Sequence, residues 1–142
     1  MISLLIIFLG TFWEASMDIV GQKHNYENSR LKFVADYFDR KKIFFWGNTF
    51  WDNSVAWSNK WKNNDPNNGE AFFGSSTIFV SLVDGWHLTK FFWLVHIFSA
   101  FVLFEPLTEY FFIDLLILYV AFGLGHEFFW KLLTIKFAVK KG

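Results

Sequence analysis

The sequence predicts an all-α membrane protein with three transmembrane helices, and three observations lead to this fold class. The 142-residue chain is 54% hydrophobic and 23% aromatic, which is more aromatic surface than the core of a soluble domain of this size can bury. Apolar stretches lie at about residues 2–20, 76–104 and 109–130, and about 20 helical residues cross a bilayer. The length predicts a single membrane domain over residues 1–142.

Charge and cysteine content exclude several classes of protein. The formal net charge is zero, so the basic surface that nucleic-acid binding needs is missing. Cysteine is absent, which excludes disulfides, thiolate metal sites and a cysteine nucleophile. No phosphate-binding loop, dinucleotide fingerprint or nucleophile elbow occurs. We therefore expect the lipid bilayer as the main partner, with a homo-oligomer as an open alternative.

The first predicted span is a retained helix and not a signal peptide. Residues 2–12 are apolar apart from three small residues, and the apolar character continues to Val20. No basic segment precedes this run, and Glu14 stands where a cleavage region would be small and neutral.

A long aromatic-rich loop is predicted over residues 21–74. It is rich in Asn, Lys and Arg, contains a short amphipathic helix near residues 31–38, and carries Trp51, Trp57 and Trp61. Trp prefers the membrane–water interface because the indole combines an apolar ring with a polar N–H. Two interpretations stay open: the loop lies on the lipid headgroups, or it forms a lid over a membrane-embedded site.

The second and third spans follow this loop. Ser75 or Ser76 is a suitable N-cap for the second, and Glu105-Pro106 ends it because proline interrupts a helix. Basic residues are concentrated in the 21–74 loop and in the C-terminal tail. The positive-inside rule then predicts an external N-terminus, with the loop and the C-terminus in the cytoplasm.

Ionisable residues from all three spans are expected at one depth, in the cytoplasmic leaflet. Charged groups are costly inside a bilayer, so we expect these side chains to face one another. His126 lies in the same region. The predicted site consists of Glu14, Asp18, His24, Asp84, His87 and Glu127.

Three explanations of this cluster stay open. Carboxylates and imidazoles suit a divalent metal such as zinc, manganese or iron. Alternatively, carboxylate–histidine hydrogen bonds pin the helices together, or the groups form a proton or ion path. His96 and Asp114 share a second depth, for which a single interhelical hydrogen bond is expected.

Five short parts of the sequence share a pattern with known proteins: Glu14-Ala15-Ser16-Met17-Asp18, His24, Ala56-Trp57-Ser58-Asn59-Lys60-Trp61-Lys62, Phe73-Gly74-Ser75-Ser76-Thr77 and Asp84-Gly85-Trp86-His87. Together they resemble a family of small, uncharacterised bacterial and phage integral membrane proteins. The resemblance covers most of residues 10–95. It implies an integral membrane location, in a bacterial inner membrane or in a host membrane if phage-encoded, and no reaction.

Two classes of function follow from these patterns. The first is metal-assisted hydrolysis of a lipid or other membrane-proximal ester, with the substrate headgroup bound by Trp57, Lys60, Trp61 and Lys62. The second is a non-enzymatic membrane module: a holin-like or channel-forming oligomer, a proton or ion path, or an accessory subunit.

Overall fold

The computed structural model describes residues 1–41 and 48–134, apart from the side chains of residues 23, 24 and 48. The described chain is helical and contains no strand, which confirms the all-α prediction. Short 3-10 helices occupy Trp57–Lys60, Lys62–Asn64, Pro66–Asn68 and Val80–Leu82. The α-helices are α1 (Ile2–Gly21), α2 (Lys23–Glu27), α3 (Arg30–Arg40), α4 (Asn48–Trp51), α5 (Asn53–Ala56), α6 (Gly85–Val102) and α7 (Phe111–Thr134).

Helix α1 is the centre of the fold because it packs along both α6 and α7. Helix α6 runs antiparallel to it: Trp13 stacks on Phe92 with ring centroids 4.7 Å apart, and Ser3 Oγ donates to the Leu103 carbonyl at 2.8 Å. Helix α7 runs parallel to α1, so that Phe12 packs edge-on against Phe129. The chain therefore passes up, down and up through one three-helix layer.

The distribution of side chains between the inside and the outside of this layer is the reverse of that in a soluble protein. The buried faces of α1 and α6 hold small or hydroxylated residues, including Thr11, Ser16 and Thr89. Large apolar side chains such as Phe112 and Tyr119 point outward from α7 and are exposed. Small residues inside and large apolar residues outside are typical of helices packed within lipid.

Two helices of the described chain, α1 and α7, are long and apolar enough to cross a membrane. At about 1.5 Å per residue they extend roughly 30 and 36 Å. Their bounds match the predicted first and third spans closely. Helix α6 does not meet the same criterion, because His87, Lys90 and His96 lower its hydropathy.

The second predicted span, residues 76–104, begins later in the structure than the sequence predicted. Residues 75–82 form turns and a 3-10 helix, and α6 starts only at Gly85. Asp84 is the N-cap, and its carboxylate accepts a hydrogen bond from the His87 N–H at 2.8 Å. The expectation that Asp84 lies inside a long helix is therefore wrong.

The segment between α1 and α6 is anchored at the start of α6. A small core of Val20, Tyr26, Ala35, Phe50 and Trp51 joins α1 to α3 and α4. A Cβ on Gly85 would lie 2.3 Å from the Trp51 ring. Only glycine therefore lets this indole cover the first turn of α6.

Candidate functional site

Two carboxylates of the candidate site come from one face of α1. Glu14 and Asp18 are four residues apart, which places them on adjacent turns of the same face. Like charges at this spacing destabilise a helix unless something neutralises them. Glu14 is mostly buried, whereas Asp18 is about half exposed.

The third group is His126 of α7, and Gly125 brings it into place. A Cβ on Gly125 would lie 2.5 Å from Thr11 Oγ1 and 3.0 Å from the Phe8 ring, so α7 touches α1 at this point because the residue has no side chain. Phe129 packs against Phe8 and Phe12 one turn further on. These contacts set the height of His126 relative to the two carboxylates.

The three side chains meet through one ligand atom each. His126 Nε2 lies 3.4 Å from Asp18 Oδ2 and 4.0 Å from Glu14 Oε2. All three ligand atoms lie within 4.8 Å of one another, and this is the one group of metal-ligating side chains found among the described residues. We call Glu14, Asp18 and His126 the carboxylate–histidine cluster.

Two atoms of this cluster are buried without a hydrogen-bond partner. They are Glu14 Oε2 and His126 Nε2. A buried polar atom without a partner costs about 1–3 kcal/mol, and more when it is charged, so such atoms require an explanation, of which a bound ion is one. The two face each other across a gap that is too long for a direct hydrogen bond.

The donor set suits a divalent cation. One imidazole and two carboxylates are ligands that zinc, manganese and iron accept. Metal–donor bonds of about 2.1 Å separate two donors of a tetrahedral site by about 3.4 Å, which is the distance between His126 Nε2 and Asp18 Oδ2. Glu14 Oε2 is 4.0 Å from His126 Nε2 and would need to move about 0.6 Å closer to it.

The structure divides the six predicted site residues. Glu14 and Asp18 belong to the cluster. Glu127 points away from α1 and forms an exposed ion pair with Lys131 at 2.8 Å. His24 lies in α2, and its side chain is outside the described part of the chain.

Asp84 and His87 form a separate pair at the start of α6. His87 Nδ1 lies 2.8 and 2.7 Å from the two Asp84 carboxylate oxygens. The same carboxylate caps the helix. This local arrangement uses both oxygens of Asp84, and the pair does not belong to the carboxylate–histidine cluster.

Asp114 and His96 do not form the interhelical hydrogen bond that their depth suggested. Asp114 is buried and accepts hydrogen bonds from the Leu107 and Thr108 N–H groups at 3.0 and 2.9 Å. His96 Nδ1 donates to the Phe92 carbonyl within α6 at 2.8 Å. Asp114 thus fixes the α6–α7 connection, a role that its sequence position alone did not indicate.

The four predicted headgroup-binding residues lie in the loop before α6. Lys60 and Lys62 pair through their backbones with residues 69–71, as in a short hairpin. Trp61 is opposite Glu70 in this pairing, and Trp57 is half exposed. All four are therefore on one ordered segment.

The sequence pattern singled out the end of α7, but the predicted site included Glu127 and not its neighbour His126. The informative signal is Gly125, since a small residue marks the side of a helix that approaches another helix.

Comparisons of the chain with protein-family models, curated proteins and solved structures gave no match. The resemblance to small bacterial and phage membrane proteins therefore stays a prediction.

Proposed function

We propose that this chain is an integral membrane protein with three spans, α1, α6 and α7, whose carboxylate–histidine cluster binds a divalent cation. The observation that carries the proposal is a pair of buried atoms that make no hydrogen bond, Glu14 Oε2 and His126 Nε2, 4.0 Å apart between two candidate spans. A cation between them would satisfy both atoms and neutralise the carboxylates.

The polar residues of α6 are compatible with its assignment as the second span. His87 pairs with Asp84, Lys90 lies over the Trp86 ring at 4.8 Å, and His96 donates to a backbone carbonyl. Each group that lowers the hydropathy of α6 thus has a partner within its own helix or at its cap. Partnered polar groups are the kind that membrane helices tolerate.

Three crossings place the basic 21–74 loop and the C-terminus on one side. The positive-inside rule makes that side cytoplasmic. Glu14 is seven residues from Gly21, so the cation lies about 10 Å below the cytoplasmic end of α1.

Three protein donors leave a position open on a zinc-like ion. This coordination is typical of catalytic rather than structural sites, because water or substrate takes the open position. Metal-assisted hydrolysis of a membrane-proximal ester is therefore the reaction class that the cluster supports. Trp57, Lys60, Trp61 and Lys62 are the proposed contacts to the lipid headgroup.

Metal analysis of detergent-purified protein, stripped with a chelator and reloaded with zinc, manganese or iron, tests the cation site. We expect one ion per chain in the wild type and loss of that ion in Glu14→Gln and His126→Gln. Glu127→Gln is the matched control, because its carboxylate is adjacent in sequence but faces Lys131.

Asp84→Asn distinguishes the carboxylate–histidine cluster from the six-residue site that the sequence predicted. The cluster predicts that this variant keeps its metal, whereas the six-residue site predicts loss. Absence of stoichiometric metal from the wild type, or equal loss in Glu14→Gln and Glu127→Gln, would contradict the proposal.

A further inference from the structure

An uncharged apolar surface precedes α6 and has no covering element in the described chain. Residues 72–82 contain no Asp, Glu, Lys or Arg. Two of their side chains are largely exposed, Phe73 at 82% and Ile78 at 72%. We call Phe72, Phe73, Ile78, Phe79 and Leu82 the apolar wedge; all five are exposed.

The wedge is held in an ordered turn. The Glu70 carboxylate accepts hydrogen bonds from the Gly74 and Ser76 N–H groups at 2.9 and 3.2 Å and from the Ser76 hydroxyl. Gly74 has φ +73°, a left-handed conformation that favours glycine, and its carbonyl accepts from the Phe79 N–H at 2.8 Å. The outward direction of the apolar side chains is therefore built into the loop.

Two further contacts fix the wedge beside the start of α6. Asn59 Nδ2 donates to the Val83 carbonyl at 2.9 Å and to the Thr49 carbonyl at 2.7 Å. Ser75, fully buried, donates to the Lys60 carbonyl at 2.7 Å. The segment Val80–Leu82 also packs against α6.

The start of α6 is level with the end of α1. A Cβ on Gly21 would lie 3.6 Å from the Trp86 ring, so the last residue of the first span and the first turn of α6 are neighbours. If α1 crosses the bilayer, its Gly21 end lies at the membrane surface. The wedge then lies at the same surface, next to lipid.

We propose that the apolar wedge is an interfacial anchor that inserts into the bilayer beside α6, with lipid hydrocarbon as its partner. This inference rests on the membrane insertion proposed above. Amphipathic helices at a membrane surface bury their apolar side chains about 5–10 Å, to the boundary between headgroups and acyl chains, and we expect a similar depth for the wedge. A stable protein interface needs about 20–30 residues a side, and the wedge supplies five.

The absence of cysteine from the chain allows a direct test by single-cysteine nitroxide labelling. Labels are placed at Phe73 in the wedge, at Asn68 in the polar turn and at Tyr119 on the exposed face of α7. The protein is reconstituted into phosphatidylcholine vesicles. Power-saturation EPR then compares collision with oxygen, which enriches in lipid, and with a water-soluble nickel chelate.

We expect the oxygen-to-nickel collision ratio at Phe73 to exceed that at Asn68 and to fall between the Asn68 and Tyr119 values, as for insertion to the acyl boundary. The ratio at Tyr119 should be higher still. Ile78→Cys should reproduce the Phe73 result, which guards against a local effect of one substitution. Because the wedge is uncharged, the ratio should not change when anionic lipid is added.

Three results would overturn the inference. A Phe73 label as water-exposed as the Asn68 label, with Tyr119 in lipid, would refute the wedge and leave the membrane proposal intact. A water-exposed Tyr119 would refute membrane insertion itself. Dipolar broadening between Phe73 labels that disappears on dilution with unlabelled protein would identify a second copy of the chain as the partner.

Discussion

At the scale of residues, the position of His126 depends on which side of α7 contacts α1. Gly125 lies on the contacting side, because a Cβ there would collide with Thr11. Gly123 lies on the open side, because a Cβ there would meet no atom within 4 Å. Gly125→Ala should move α7 away from α1 and separate His126 from the carboxylates. We expect the metal affinity to fall at least about tenfold, as for loss of other groups that orient a metal ligand.

Gly123→Ala supplies the matched control for this prediction. It adds the same methyl group to the same helix, two residues away, on the open face. Titration of the chelator-stripped variants with zinc should leave Gly123→Ala close to wild type. Equal affinity of Gly125→Ala and wild type would show that the close helix approach does not position His126.

Asp114 gives a second prediction for a single residue. Asp114→Ala removes the acceptor of two N–H groups in the α6–α7 connection, and we expect a loss of about 2–3 kcal/mol in the free energy of unfolding. Asp114→Asn should lose less, because it keeps one carbonyl acceptor. Glu109→Ala, an exposed change in the same connection, should stay within about 0.5 kcal/mol of wild type in detergent unfolding experiments.

At the scale of elements, the turn that carries the apolar wedge depends on an ionised carboxylate. The Ser76 hydroxyl, with the Gly74 and Ser76 N–H groups, holds the pKa of Glu70 below its ordinary value of 4.5. A lowered pKa in the folded state means that the stabilisation is fully present above pH 4.5 and is lost as the pH falls through the lowered pKa. The turn should therefore loosen in acid.

A nitroxide at Phe73 measures this loosening as an increase in label mobility below pH 4.5. Glu70→Gln should show weaker ordering and no change across the same pH range, because the amide does not titrate. A pH-independent wild-type spectrum would mean that the Glu70 hydrogen bonds do not order the turn.

The elements themselves differ in how far sequence predicts them. The helical class and the positions of α1 and α7 follow from long apolar runs, which need no tertiary information. The start of α6 does not follow from the sequence, because residues 75–81 are as compatible with a helix as with the turn that Glu70 and Gly74 form. The choice between His126 and Glu127 depends on how α7 is rotated against α1, and tertiary contacts such as Gly125 against Thr11 fix that rotation.

At the scale of the whole molecule, the three proposed spans define a topology that can be tested. We expect the 21–74 loop to lie in the cytoplasm, so a cysteine at exposed Ser54 should resist a membrane-impermeant maleimide added to intact cells. It should react once the membrane is permeabilised. Labelling of intact cells would reverse the proposed orientation, while a cysteine at Glu109 in the α6–α7 connection provides the external control.

X-ray absorption spectroscopy of zinc-loaded protein tests the central claim most directly, since it reports the donors that surround the ion. The account predicts only nitrogen and oxygen donors at about 2.0–2.2 Å, with multiple scattering from one imidazole. That imidazole signal should disappear in His126→Gln and persist in both Glu127→Gln and His87→Gln. Two or more imidazoles, or an imidazole signal that is lost in His87→Gln, would contradict a site built from Glu14, Asp18 and His126.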